Sequence, residues 1–525
     1  MNFDYIIVGG GTAGCLVADY LSKKNHKVAI VEKGTNNKLL NYLVEQPNGT
    51  FFTLRNKIFT KIYLTERNKN VNGRKIKWPR GEYMGGSSAI NGLVYKRGHK
   101  LDYDNLYNQG FLSWEWKKVK KYYEEIEERL KIYNYKSSGV EAKNKIVIAF
   151  LESLKIHNFN ECKSFNENLE TTKSICSHYD LTINNFKRSY AYNVYIKNNK
   201  NITIFYKSLV SKIIIKDSTA IGIEYLKNKK KEILYCKKEV ILSAGTINSP
   251  KILQLSGIGD SDLLKSLKIN VIKDNKNVGK NLRDHMQVKI PYKINSNENF
   301  NHVNKNFSSK VIHFLRSMLF KKGTLTLGAI RAGGFVGSNH GENKHNFQIN
   351  LLLATAESGI EYQGLNKIDK FNGITISINN LNPESSGFIK IKSKDPSKDP
   401  YIQPNYFSNS NDINKFLKGI RLIRKIAKTK PISEIIIEEV VPGRFLNNDK
   451  DLIDFIKDTA ETIYHPTGTC RIGTDETGVV DGNLKVIGIK NLRVCDASVF
   501  PNSMSGNMVA PCYLAGMVLV KDILS

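Results

Sequence analysis

The stretch from Asp4 to Glu32 restricts the possible folds more than any other part of the chain. DYIIV at 4–8 reads as a short buried strand, and GGGTAG follows it, satisfying G-x-G-x-x-G with Gly9, Gly11 and Gly14. AGCLVADYLSKKN then carries Ala13, Leu16, Val17, Tyr20 and Leu21 at helical spacing, and KVAIVEKG reads as a second strand ending at Glu32. Strand, glycine turn, helix, strand and terminal acid make up the dinucleotide-binding unit of a doubly wound α/β fold. The glycines admit a pyrophosphate close to the backbone, and the helix N-terminus, at Thr12 and Ala13, offers it N–H groups. The Glu32 carboxylate can accept from ribose hydroxyls. An acid at that place argues against a 2′-phosphate, which disfavours NADP and leaves NAD and FAD both open.

With 525 residues the chain exceeds one ordinary hydrophobic core, so two or more domains are expected. A net charge of +30 raises the question of nucleic acid. The lysines, however, are scattered among asparagines and isoleucines, and no compact motif focuses the charge. The expectation is a basic solvated surface with no specific nucleic-acid partner and with weak attraction to anionic membrane. Seven cysteines without a C-x-x-C pair argue against a disulfide framework, a zinc site or an iron–sulfur cluster, so no metal is expected and a reducing compartment is. The first residues read as a strand, so no secretory leader is expected, and no run of about 18 uncharged apolar residues occurs, so no membrane-spanning helix is expected. The expected location is cytoplasmic, with peripheral attachment to an inner membrane left open.

Further motifs follow in order. RGEYMGGSSAINGLVYKRGHKLDYD occupies 80–104, and SAGTINSPKILQLSGIG at 243–259 follows the strand-like EVILSAG. NVGKNLRDHMQV stands at 277–288, SKDPSKDPYIQPNYF at 393–407, HPTGTCRIG at 465–473 and NLRVCDASVFPNSMSGNMVAP at 491–511. In combination and order these segments resemble the glucose–methanol–choline (GMC) oxidoreductases, nearest to the choline dehydrogenase-like branch. The first signature departs mildly at Glu82 and Met84.

The resemblance implies FAD as cofactor and an α/β protein (α+β overall). Its Rossmann-like FAD-binding domain is expected from the pieces 1–150, 200–290 and 460–525. An antiparallel-sheet substrate-binding domain is expected at 291–460, with 151–199 unassigned. The residues agree: GITISINNLNPESSGFIKIKS at 373–393 alternates as strands do, and NDINKFLKGIRLIRKIAKT at 411–429 has helical spacing. The implied reaction is oxidation of an alcohol to an aldehyde or ketone by hydride transfer to flavin N5. Oxygen, a quinone or another carrier then takes the electrons. The family's base falls on His465, whose His-Pro step holds it on a stiff loop. Its partner falls on Asn507, an amide that can donate to the substrate oxygen. Gly86, Ser87, Asn91, Gly92 and Val94 are expected along the flavin and its ribityl chain, and Val210 at the adenine. Asp496 and Ala497 are expected near the ribityl–phosphate region. Asn507 and Met508 open the last helix, whose positive end would face the flavin pyrimidine.

Choline-oxidising members carry a glutamate where this chain has Arg331, in IRAGGF. A cation there would repel choline, and Arg331 is expected either to recognise a substrate carboxylate or phosphate or to be a paired surface residue. Ser386 and Val509 also depart from the family pattern. Choline dehydrogenase proper therefore stands as an alternative, as does a lyase on the same fold resembling hydroxynitrile lyases. The segment 306–327 is basic and rich in large apolar residues. It reads as a covering helix of the substrate domain or as a lid or membrane-facing entrance.

Overall fold

The computed structural model describes residues 2–133, 144–167, 169–321, 323–337, 344–356 and 368–525. Its first sheet grows from the strand Asn2–Val8, where Ile6, Ile7 and Val8 are all buried, as a strand covered on both faces requires. That strand pairs in parallel with Val28–Val31 on one side and with the end of Lys230–Leu242 on the other, so that Ile6 lies between Ala29 and Val240. Ile202–Phe205 extends the parallel part beyond Val28–Val31, and Leu492–Val494 pairs in parallel with residues 240–242. Lys230–Leu242 is long, at 13 residues, and serves two purposes. Its first half closes an antiparallel meander with Thr219–Lys227 and Ser208–Lys216, and its second half enters the parallel sheet.

The nucleotide helix Thr12–Ser22 packs against the last helix, Val509–Leu524. The two approach closely at Gly516, where a Cβ would stand 3.2 Å from Leu16 Cδ2 and 3.3 Å from the Ala13 carbonyl oxygen. The middle of the last helix is thereby seated against the first turns of the nucleotide helix.

The second sheet runs Ile436–Glu439, Met286–Ile294, Gly373–Asn380, Phe347–Leu352, Ile330–Val336, Ile175–His178 and Asn160–Glu161, with Glu461–Thr462 also pairing Met286–Ile294. All these neighbours are antiparallel except Asn160–Glu161 with Ile175–His178. The strict alternation of its central strands divides it into two faces. Val288, Ile290, Ile349, Leu351, Ile376 and Ile378 form one core with the helices Lys145–Ile156, Ser410–Ala427 and Asp449–Thr459. Gly419 permits the contact of the middle helix, since a Cβ there would lie 2.4 Å from Ile378 Cδ1.

Strand pairing thus gives Met286–Ile294 and Ile175–His178 to the antiparallel sheet, and the helix Lys145–Ile156 packs into its core. Residues 202–205 belong to the parallel sheet. No disulfide joins any of the seven cysteines. No helix among the described residues is long and apolar enough to cross a membrane.

Candidate active site

The other face of the antiparallel sheet is polar, yet it is buried. Gln287, Lys289, Gln348, Asn350, Thr375, Ser377 and Asn379 alternate with the core residues and are all less than 9% exposed. They are covered because this face turns toward the parallel-sheet half of the molecule. Tyr179 donates to Asn350 Oδ1 at 2.7 Å and accepts from Gln348 Nε2 at 3.0 Å. Gln348 Nε2 also donates to Asn507 Oδ1 at 3.3 Å, linking this wall to the start of the last helix. Lys289 pairs with Glu461, and burial holds the lysine ammonium well below its usual range. The Oδ1 of Asn379 is buried on this face without a protein partner.

His465 sits where the two halves meet. Its backbone N–H donates to Asp284 Oδ1 at 2.9 Å, and Tyr406 donates to the other oxygen at 2.5 Å. Burial pushes the Asp284 carboxyl up to about 6. The ring arrangement determines which nitrogen of His465 carries the proton. His285 Nε2 lies 3.2 Å from the Leu381 carbonyl oxygen, which can only accept, so that nitrogen is the donor. In neutral His285 the Nδ1 is then bare. It lies 3.1 Å from His465 Nδ1, which must donate to it, and His465 Nε2 is left bare. Asn507 Nδ2 approaches that bare nitrogen at 3.5 Å. Burial drives both imidazoles toward the neutral form. His285 is pushed down to about 4, and His465 well below the ordinary histidine range, with the charges of His285 and Arg80 adding to the effect. Arg80 itself donates through Nη1 to the Tyr464 carbonyl at 3.1 Å, while its Nε and Nη2 are buried without a protein partner.

The glycine turn separates into positions required by the protein and one that is not. A Cβ at Gly9 (φ +104°) would meet the Ser243 carbonyl oxygen at 2.5 Å, and one at Gly14 would meet the Gly9 carbonyl oxygen at 2.2 Å. At Gly11 the nearest protein atom would be 3.8 Å away, so only a bound group would require glycine there. Gly86 (φ +56°) brings the second glycine segment onto the first, its Cβ position being 2.8 Å from Gly11 Cα. Thr12 and Ala13 open the helix directly beside this contact. Glu32 is buried, accepting the Gly10 N–H at 2.7 Å and the Gly34 N–H at 2.6 Å. Burial raises its carboxyl, and the two N–H groups oppose that rise.

Ser87 Oγ accepts the Gly81 N–H at 3.2 Å, and the loop beyond it is clamped by a residue that sequence reasoning missed. Arg188 is fully buried and donates to the carbonyls of Val44, Ser88 and Asn91, to Asn91 Oδ1 and to Thr50 Oγ1. Every acceptor is neutral, and desolvation lowers the guanidinium to about 9. Gly92 and Val94 follow, with Gly92 beside Ile330 and Val94 bridged to Leu181. Val210 is buried in its strand opposite Tyr225. Asp496 accepts from the Gly245 N–H, the Ser249 hydroxyl and the Ser498 N–H, joining the 243–259 and 491–511 motifs. Ala497 is next to it, and Met508 is buried at the cap of the last helix.

Arg331 departs from one of its two expectations: it is 1% exposed, hence no surface residue. Nε donates to the Gly328 carbonyl and Nη2 to the Thr324 carbonyl, each at 2.7 Å. A buried guanidinium needs oxygen acceptors, and these backbone carbonyls are among them.

His285, Tyr179, Gln348 and Asn350 were also missed. His285 stood in a quoted motif, and Gln348 and Asn350 alternate with apolar residues in FQINLL, a pattern that a solvent-facing side would equally produce.

A parallel nucleotide-binding sheet facing the buried polar side of an antiparallel sheet is the layout of a two-domain flavin oxidoreductase. Sequence profiles of GMC oxidoreductase match residues 3–287 and 383–516, and the chain belongs to that family. It is 33% identical to an alcohol dehydrogenase [acceptor] of Pseudomonas putida over 540 aligned residues, covering 99% of this chain and 96% of the relative. The mitochondrial choline dehydrogenase of Homo sapiens is 31% identical, covering 97% of this chain and 88% of that one. A formate oxidase variant of Aspergillus oryzae superposes with a TM-score of 0.89 at 26% identity, covering 99% of this chain and 98% of the other. The protein is an FAD-dependent GMC oxidoreductase with choline and alcohol dehydrogenases among its relatives.

Proposed function

We propose that the protein oxidises an alcohol to an aldehyde or ketone, with Nε2 of His465 accepting the hydroxyl proton. The observation that carries this is the chain of ring contacts from the Leu381 carbonyl through His285 to His465. It supports one tautomer, with the bare nitrogen turned toward Asn507. Bound FAD supplies the hydride acceptor. The cofactor cradle is assigned to Gly9, Gly11, Thr12, Ala13, Gly14 and Glu32 for the nucleotide. Gly86, Ser87, Asn91, Gly92 and Val94 are assigned to the flavin loop. Val210, Asp496, Ala497, Asn507 and Met508 complete the cradle. The open Cβ direction at Gly11 and the contact of Gly86 with Gly11 support that assignment. The same reading divides the chain into a flavin unit built on the parallel sheet and a substrate unit built on the antiparallel one.

An alcohol oxygen between His465 Nε2 and the Asn507 amide would lose its proton to the imidazole and receive the amide N–H as negative charge builds on it. Burial keeps His465 neutral and able to accept, and Gln348 orients the Asn507 amide by donating to its oxygen. A positioned base of this kind contributes about 10²–10⁴-fold. His465→Ala should retain FAD and slow anaerobic bleaching of the flavin by an alcohol by about that factor. Bleaching at the wild-type rate would place the base elsewhere.

A further inference from the structure

The helix Phe307–Phe320 is exposed along most of its length, and its apolar side is largely uncovered. Phe307 is 81% exposed and Leu319 67%, with Ile312, Phe314, Leu315 and Phe320 each beyond 45%. At 100° per residue Phe307, Val311, Phe314, Leu315 and Leu319 fall on one side, while Lys310 and Arg316 flank that side on its two edges. An open apolar cleft of about 550 Å³ separates the helix from Phe51, Phe52, Phe300 and Leu325. Soluble monomers rarely leave a contiguous apolar patch of this kind uncovered.

Charge narrows what covers it. From residue 299 to residue 341 the sequence holds no Asp or Glu, while the exposed Lys305, Lys310, Arg316 and Lys321 fall in that span. A second copy docked face to face would set these cations against one another on a chain that already carries +30. An anionic lipid surface matches both features, because apolar side chains enter the acyl boundary while flanking Lys and Arg reach the headgroups. The helix has 14 residues, too few to span a bilayer but enough to lie in its plane. A few residues beyond it the chain is held to the body of the protein, since Arg331 holds the Thr324 carbonyl and Asn48 Nδ2 holds that of Leu325. Four residues past Thr324, a Cβ at Gly328 would lie 3.3 Å from Leu93 Cδ1, beside the Asn91–Val94 loop.

We infer that Phe307–Phe320 docks the protein onto an anionic phospholipid surface, lying in the headgroup plane with Phe314 and Leu315 turned into the membrane and Lys310 and Arg316 at the lipid phosphates. The inference does not rest on the assignment of His465.

The test is co-sedimentation of the full-length holoenzyme with vesicles of phosphatidylcholine alone and of phosphatidylcholine mixed with phosphatidylglycerol. Binding is expected to the mixed vesicles and to fall as salt is raised several-fold. The Phe314→Glu/Leu315→Glu double variant should bind at least tenfold more weakly, and Lys310→Glu/Arg316→Glu roughly tenfold. Flavin content and the rate of flavin reduction should be unchanged in both, which shows that they fold. Failure of the wild type to sediment with the mixed vesicles would overturn the inference, as would equal binding by wild type and the Phe314/Leu315 variant. A wild-type dimer in light scattering that this variant turns into monomer, without vesicle binding by either, would assign the face to a second copy instead.

Discussion

His285 should matter to the rate although it is assigned no contact with substrate. Its Nδ1 is the acceptor that holds the proton of His465 on Nδ1, at 3.1 Å, and its own Nε2 is committed to the Leu381 carbonyl. His285→Leu keeps an apolar body of similar size and removes the acceptor. His465 is then left either with a buried N–H that has no partner or with its proton moved to Nε2, where it blocks the base. A buried polar group without a partner costs about 1–3 kcal/mol, which at 1.36 kcal/mol per tenfold is a fall of roughly 5- to 150-fold in flavin reduction. The effect should fall on the limiting reduction rate rather than on the apparent alcohol affinity, because the substrate loses no direct contact. His285→Asn is the control, since its Oδ1 can stand near the position of Nδ1 and accept the same proton. The assay is anaerobic stopped-flow bleaching at saturating alcohol, with bound FAD per chain measured on each variant. Wild-type reduction by His285→Leu would refute the tautomer argument. Equal losses in the Leu and Asn variants would show that His285 acts through packing alone.

Gly11→Val should fold with a melting temperature near that of the wild-type apoprotein yet lose FAD. A Cβ there meets no protein atom within 3.7 Å, whereas Gly14→Val should lower stability outright, because its Cβ strikes the Gly9 carbonyl at 2.2 Å. The visible flavin spectrum, read beside thermal melting, separates the two. Acidification should destabilise the protein through His465. Its folded pKa lies below the unfolded value, so the unfolded chain binds the extra proton and stability falls as pH drops below about 6.5. His465→Ala should therefore flatten the decline in melting temperature from neutral to mildly acid pH. Asp284, raised to about 6, acts in the opposite sense, so the comparison is variant against wild type. A decline equally steep in both would count against a buried neutral His465. Arg188→Met should leave three carbonyls and two side-chain oxygens short of a donor, costing about 2–4 kcal/mol and loosening FAD. Unchanged melting and flavin content would show that the clamp is dispensable.

The local sequence determined the nucleotide turn completely enough to read. Strand, Gly9, Gly11, Gly14, helix and Glu32 are close in the chain, and their backbone demands are local. The ordered motifs carried the family and the cofactor, because a glycine segment or a His-Pro loop keeps its spacing wherever the chain folds. What the sequence left open depends on contacts between distant residues. His285 and His465 are 180 positions apart, and the proton placement between them exists only once two rings and one carbonyl meet. Polar alternation at Gln348, Asn350, Ser377 and Asn379 is the same text for a solvent face and for a buried wall. Only the packing of one sheet's polar side against the other half of the molecule decided that it is a wall. Arg331 and Arg188 show the same division. A charge in sequence suggests a surface or a ligand, and tertiary structure turned both guanidinium groups inward, where backbone carbonyls among their acceptors replace the water they lost.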